Sequence, residues 1–146
     1  MLERAGYLEG SGSITGIYTV LVEGDDINDP VGDTVRSIVD GHIVLSRDLA
    51  NKGHYPAIDV LASISRVMRD VSDTEHMELR DKAVNIIATY KNSEDMISIG
   101  AYVDGSDPKI DKAKKYMPTI NRFLCQDMET KVSLSDGIKD LKKVLS

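Results

Sequence analysis

Apolar positions along this 146-residue chain keep two rhythms, and the change falls near residues 67–72. Before it, short apolar runs alternate with amphipathic stretches. Residues 14–22, Ile-Thr-Gly-Ile-Tyr-Thr-Val-Leu-Val, are β-branched, aromatic and mostly apolar. They predict a strand buried on both faces, as parallel sheets require. Glu23-Gly24-Asp25-Asp26 then turns the chain. Asp29 as N-cap and Pro30 at the first helical position predict a helix. Val31, Val35, Ile38 and Val39 form its apolar face, and Gly41 suits its C-terminal cap. Residues 42–46 read as a short second strand. Residues 47–52 read as a short helix closed by Gly53. Residues 53–66 read as an irregular surface segment. Strand, helix, strand, helix is part of an α/β layer structure.

Beyond residue 72 the pattern is all-helical. Ser72-Asp73-Thr74-Glu75 matches a capping box. Leu79, Ala83, Ile86 and Tyr90 come next at 4-3-4 spacing, widened by Val84 and Ile87. Residues 94–101 read as a separate short helix. Asp107-Pro108 opens another, with Ile110, Ala113, Met117, Ile120 and Leu124 at 3-4-3-4 spacing as its inward stripe. Pro118 lacks an N–H and is expected to kink or split it. Residues 135–145 form a final amphipathic helix. There is no internal repeat and no low-complexity segment.

Composition narrows the class. Hydrophobic content of 41% and charged content of 29% fit a globular chain rather than a disordered one. The net charge of −6 argues against a general nucleic-acid binder, which needs a concentrated basic surface. A single cysteine, Cys125, makes no internal disulfide and fits a reducing compartment. Alone it reads as a small packing residue. The apolar runs are too short for a transmembrane helix, and the first six residues lack a signal-peptide core.

Candidate chemistry is sparse. Gly10-Ser11-Gly12-Ser13 precedes a strand, whereas a phosphate-binding loop comes after one, opens a helix and ends in Gly-Lys-Ser/Thr. No Gly-Lys pair occurs in the chain. Glu23, Asp25 and Asp26 sit at the end of a predicted parallel strand, where ligands collect. Turn and cap chemistry explains them equally well. His42, His54 and His76 lie on separate elements without metal spacing, so no metal site is expected. No Ser/His/Asp or Cys/His arrangement is defined. Tyr55, held extended by Pro56, reads as a core aromatic or as a ring that stacks on a base. Arg66 reads as a structural ion-pair partner, a solvent-exposed cation, or a fixed charge that neutralises a transferring phosphoryl group.

Several segments carry a resemblance. Glu3-Arg4-Ala5-Gly6, residues 12–15, Glu23-Gly24-Asp25-Asp26, residues 40–47 and residues 53–66 closely resemble the flagellum-specific ATPases. These are the export ATPases of the flagellar type III secretion apparatus, related to the catalytic subunit of F-type ATP synthases. Residues 99–102 and 105–108 resemble that family more weakly. The virulence-associated secretion ATPases are near neighbours. The resemblance implies an α/β segment of a RecA-like P-loop ATPase core, incomplete and without its P-loop, over residues 1–70. An all-α helical C-terminal domain is implied over residues 71–146. The P-loop lysine, catalytic glutamate and Walker B aspartate of the family are expected upstream of Met1.

The same resemblance implies roles. Arg66 matches the arginine finger that reaches a neighbouring subunit's nucleotide. Tyr55 matches the aromatic residue beside adenine, and Leu134 falls near the other wall of that pocket. Asp104, Gly105, Ser106, Asp107 and Pro108 fall where ATP synthase relatives contact the rotating stalk; an ordinary helix-connecting turn is the alternative. The intact protein is expected to bind ATP with Mg2+ and hydrolyse it in a homohexamer that drives flagellar protein export. Expected partners are a coiled-coil stalk protein, a regulatory peripheral-stalk protein and the export gate. The expected location is cytoplasmic, peripheral to the membrane at the flagellar base. The chain alone is expected to be a monomer or weakly self-associating, inactive, and without tight nucleotide binding. A non-catalytic stalk-docking module and a virulence secretion ATPase are the alternatives.

Overall fold

The computed structural model describes residues 2–22 and 29–146, apart from the side chain of Glu3. The acidic turn at Glu23, Asp25 and Asp26 therefore lies outside the described residues. The chain divides into two compact units, residues 1–42 and 43–146.

The first unit opens with a single 3-10 turn, Leu2–Arg4, leading to strands β1 (Gly6–Leu8) and β2 (Gly12–Ile14). These pair as an antiparallel hairpin with Gly6 opposite Ile14, Tyr7 opposite Ser13 and Leu8 opposite Gly12. Gly10, at φ 75, takes the left-handed conformation that the reversal requires. The glycine-rich run is thus a hairpin and no phosphate loop. The predicted doubly buried strand at residues 14–22 does not form: β2 stops at Ile14, and residues 15–22 are irregular and exposed. A strand buried on both faces needs paired neighbours and covering helices, and no described strand pairs with these residues.

Helix α1 (Pro30–Ile38) starts as its sequence dictates. The Asp29 carboxylate accepts from the N–H groups of Val31 and Gly32 at 3.0 and 2.9 Å. Its end differs from expectation. Val39, extended at φ −77 and ψ 152, is the C-cap, and Gly41 begins strand β3 (Gly41–Leu45). The apolar face is only partly covered, with Val35 and Val39 half-buried and Val31 and Ile38 exposed.

In the second unit, Ser46 caps α2 (Arg47–Asn51), and Gly53 at φ 73 closes it. The segment expected to be irregular is so only at its start. Residues 54–57 turn, and β4 (Ile58–Ser65) is an eight-residue strand beside β3. Asp59 shapes it locally. Its Oδ1 accepts from the N–H groups of Leu61 and Ala62 at 2.9 and 3.0 Å, and its carbonyl accepts from Ser63 Oγ at 2.6 Å. Ser63 Oγ in turn accepts from the Val44 N–H at 2.9 Å, joining β4 to β3. Lys91 reaches Asp59 Oδ2 at 3.4 Å.

A short helix α3 (Met68–Val71) leads into α4 (Thr74–Ser98). The cap sits one residue later than the capping box predicts. Asp73, not Ser72, accepts from the His76 N–H, at 2.7 Å, and Glu75 instead pairs with Lys142. A carboxylate is the stronger acceptor at a helix's positive end. Helix α4 runs 25 residues, about 37 Å at the usual rise, and absorbs the separate helix expected at residues 94–101. Its sequence contains no glycine or proline, and the first breaker is Gly100, at φ 72.

Helix α5 (Pro108–Leu124) passes through Pro118 without splitting. Pro118 is exposed, so water can reach the carbonyl it leaves unbonded, while Ala113 and Ile120 are buried on either side of it. Burial of that face offsets the roughly 3 kcal/mol that an internal proline costs. Helix α6 (Leu134–Val144) is capped by Ser133 and begins one residue before its predicted start. The core is Ala83, Ile86 and Ile87 of α4, Ala113 and Ile120 of α5, and Leu145 after α6. Val60 and Leu61 of β4 pack against it, so this strand belongs physically to the helical unit.

This packing sets two measurable outcomes. Ile120→Ala removes one of the largest fully buried side chains and is expected to destabilise the chain by about 2–5 kcal/mol in urea titration. The second concerns acid. Burial opposes ionisation of Asp59, but the Ala62 N–H, the Lys91 ammonium and the Leu61 N–H together hold its pKa below 3.8. A lowered carboxylate stabilises the fold above its unfolded pKa and loses that contribution as pH falls through the folded value. The stability gap between wild type and Asp59→Asn should be constant above about pH 5. It should shrink progressively below 3.8.

Candidate functional site

Tyr55 and Arg66 stand at opposite ends of β4. Gly53 follows the end of α2, and His54 donates its N–H back to the Leu49 carbonyl at 2.9 Å. The Tyr55-Pro56 bond is cis, and the Ala57 carbonyl accepts from the Ser46 N–H at 2.8 Å where β4 is about to begin. These hydrogen bonds fix the backbone while leaving Tyr55 57% exposed. Arg66 comes just after the last residue of β4, where the chain leaves the sheet for α3, and it too is exposed. One side chain is a flat aromatic surface on a tied loop. The other is a permanent cation at a strand end.

The loop after α5 is clipped to the Tyr55 loop. Gln126 donates its N–H to the Tyr55 carbonyl at 2.9 Å, and Cys125 Sγ lies 3.5 Å from His54 Nδ1. Neither link is legible in the sequence, because 71 residues separate Cys125 from His54 and neither sits in a recognisable spacing. The clip ties the start of the segment that leads to Leu134 to the Tyr55 backbone. Leu134 itself opens α6 and is 75% exposed.

A groove of about 440 Å3 runs between α2, β4, α4 and α5, with Lys52, Asp59, Lys91, Glu94, Asn121 and Cys125 on its wall. Tyr55, Arg66 and Leu134 do not line it. Four of its charged groups pair, Lys52 with Glu94 at 3.8 Å and Lys91 with Asp59. Among the described residues, no group of three histidine, cysteine or acidic side chains is placed to hold a metal ion. His42, His54 and His76 accordingly form no such centre. Nor is any described helix long and apolar enough to cross a membrane.

The turn between α4 and α5 is tightly fastened. Asp107 caps α5, accepting from the Lys109 N–H at 2.7 Å, with Pro108 at the first helical position. Gly105, at φ 89, donates its N–H to Asp111 Oδ2 at 3.0 Å. Tyr102 Oη lies 2.9 Å from Asp111 Oδ1 and accepts from the Asp107 N–H at 3.2 Å. Ser106 bonds back to the Val103 carbonyl through both its N–H and its hydroxyl. Asp104 pairs with Lys114 at 2.6 Å, and that hydrogen bond is the main cause of the raised Lys114 pKa. Asp111 was not singled out by sequence, though an aspartate at the fourth position of a helix opened by Pro108 was a readable signal.

Known proteins resemble this chain in two blocks. Residues 1–65 match the nucleotide-binding domain of the ATP synthase alpha/beta family, and residues 72–143 match the C-terminal domain of the EscN-type type III secretion ATPases. The flagellum-specific ATP synthase of Bacillus subtilis (strain 168) is 50% identical over 141 residues, covering 97% of this chain and 32% of that protein. The type 3 secretion system ATPase of Pseudomonas savastanoi pv. phaseolicola is 48% identical over 146 residues, covering all of this chain and again 32% of the relative. Among solved structures, the assembled ATPase EscN in complex with its central stalk EscO, from enteropathogenic E. coli, superposes with a TM-score of 0.88 at 48% identity. That match covers 99% of this chain and 34% of the EscN chain. The chain thus spans about a third of the length of the relatives it matches. An α/β segment of a nucleotide-binding domain with an all-helical domain after it, similar along its whole length to these ATPases, makes this chain a member of the flagellar and type III secretion ATPase family, matching its C-terminal portion.

Proposed function

We propose that this chain is the C-terminal part of an ATPase that energises flagellar type III protein export by hydrolysing ATP with Mg2+ in a homohexameric ring. The observation that carries the reading is Arg66: a fixed cation, exposed, at the end of a strand whose other end is tied into the helical core. A guanidinium so held can enter a neighbouring subunit's site and stabilise charge on the transferring phosphoryl group. Tyr55 supplies one wall of the adenine pocket, since an exposed ring on a fixed backbone loses little freedom when it stacks. Leu134 supplies part of the opposite wall, with weaker contact than a ring. Tyr55 and Arg66 lie at opposite ends of β4, which suits service to two different nucleotides.

We take residues 1–70 as the nucleotide-facing part and residues 71–146 as the helical domain. The loop Asp104, Gly105, Ser106, Asp107 and Pro108 is assigned to a coiled-coil stalk subunit, as the EscN relative is seen with its central stalk. A regulatory peripheral-stalk protein and the export gate complete the proposed partners, on the cytoplasmic face of the membrane at the flagellar base. The near-equal identities to a flagellar and a virulence-type relative, 50% and 48%, keep the secretion-system assignment as the second reading. The chain by itself is proposed to lack ATP turnover.

Steady-state kinetics on the intact assembled ATPase test the site. Arg66→Ala is expected to lower kcat by about a thousandfold with KM for ATP nearly unchanged, and Arg66→Lys is expected not to restore it. Tyr55→Ala should raise KM roughly tenfold, with Tyr55→Phe close to wild type. A full kcat in Arg66→Ala, or ATP turnover by this purified chain above that of its Arg66→Ala form, would overturn the assignment.

A further inference from the structure

The turn assigned to the stalk is acidic in sequence, with five carboxylates and one lysine between residues 94 and 111. An electrostatic contact would be the simple expectation. The structure shows those carboxylates largely engaged at home. Asp104 holds Lys114, Asp107 caps α5, Asp111 binds the Gly105 N–H and Tyr102, and Glu94 faces Lys52. Beside the exposed Asp104, the turn also presents apolar groups outward. Met96 is 46% exposed, Ile99 77% and Val103 71%. The three are gathered by the end of α4, where the Met96 carbonyl accepts from both the Ala101 and Tyr102 N–H groups at 2.9 and 3.1 Å and Gly100 reverses the chain. The clamp on Asp111 fixes the chain on either side of Val103 through Tyr102 and Gly105. The tip of the helical hairpin thus carries three exposed apolar side chains on a hydrogen-bonded turn, among negative charges.

We propose that Met96, Ile99 and Val103 form the docking surface for the stalk subunit, and that a stalk helix covers them with apolar residues flanked by lysine or arginine. The proposal rests on the assignment of this turn to the stalk. It replaces charge pairing by apolar burial as the source of affinity, and leaves the acidic rim to steer and orient the basic flanks. The acidic rim is the feature that selects a basic-flanked helix over a lipid surface, whose anionic headgroups it would repel.

Calorimetric titration of the purified chain with the purified coiled-coil stalk subunit of the same export system tests this. The double variant Ile99→Ser/Val103→Ser is expected to bind at least about tenfold more weakly, because two exposed aliphatic groups no longer lose water on docking. Asp104→Asn should change the affinity by no more than about twofold, and raising salt from about 0.05 to about 0.5 M should weaken wild-type binding only modestly. Since both replaced side chains are exposed, thermal melting of the double variant should match wild type, and Met96→Ser serves as a second variant if it does not. Wild-type binding that survives the serine substitutions, or that Asp104→Asn abolishes, overturns the apolar docking surface while leaving the stalk assignment standing. No binding by the wild-type chain overturns the stalk assignment itself.

Discussion

The seam between α4 and α5 is the constraint on which the larger unit depends. Ala83, Ile86 and Ile87 meet Ala113 and Ile120 along it, and small residues let the two helices approach closely. Leu145 closes the seam from beyond α6, and Lys82 donates to its carbonyl, so the end of the chain is fastened to the same surface. Val60 and Leu61 lean on it from the other side. Strand β4 is therefore held by helices rather than by a large sheet, and Tyr55 and Arg66 inherit their positions from that support.

Helix α5 joins the two loops proposed as sites. Its first turn carries the fastened loop of residues 104–108, and the residues just past its last turn, Cys125 and Gln126, are bonded to His54 and Tyr55. The helix between them is unbroken over 17 residues, about 25 Å. Pro118 removes one internal bond without interrupting it, because the packed face continues through Ile120.

The acidic character of the chain has a structural side as well as an electrostatic one. Asp29, Asp73 and Asp107 each accept backbone N–H groups at the start of a helix. Asp59 does the same inside β4, and Asp111 does it across the α4–α5 turn. Each satisfies donors that the regular element cannot. Part of the negative charge thus also serves local geometry, while the hairpin tip keeps both acidic and apolar side chains exposed.

Local chemistry was legible without a structure. Asp29-Pro30 and Asp107-Pro108 announced their helices, and the stripes on α4 and α5 marked the residues that are buried. The likeness of residues 53–66 to the export ATPases identified the family. Other features required distant groups to meet. Whether residues 14–22 form a strand depends on neighbours that the pattern cannot supply, and they stay irregular and exposed. The cap moved to Asp73 because its carboxylate outcompetes the Ser72 hydroxyl, while Glu75 turned to Lys142 on another helix. The clip of Cys125 and Gln126 onto His54 and Tyr55 joins groups about 71 residues apart. The sequence by itself determined which residues favour helix, cap and core, since those preferences act within one or two turns. Only the tertiary structure decided which carboxylates were already engaged and which apolar groups remained outside, because both depend on what the folded chain places beside them.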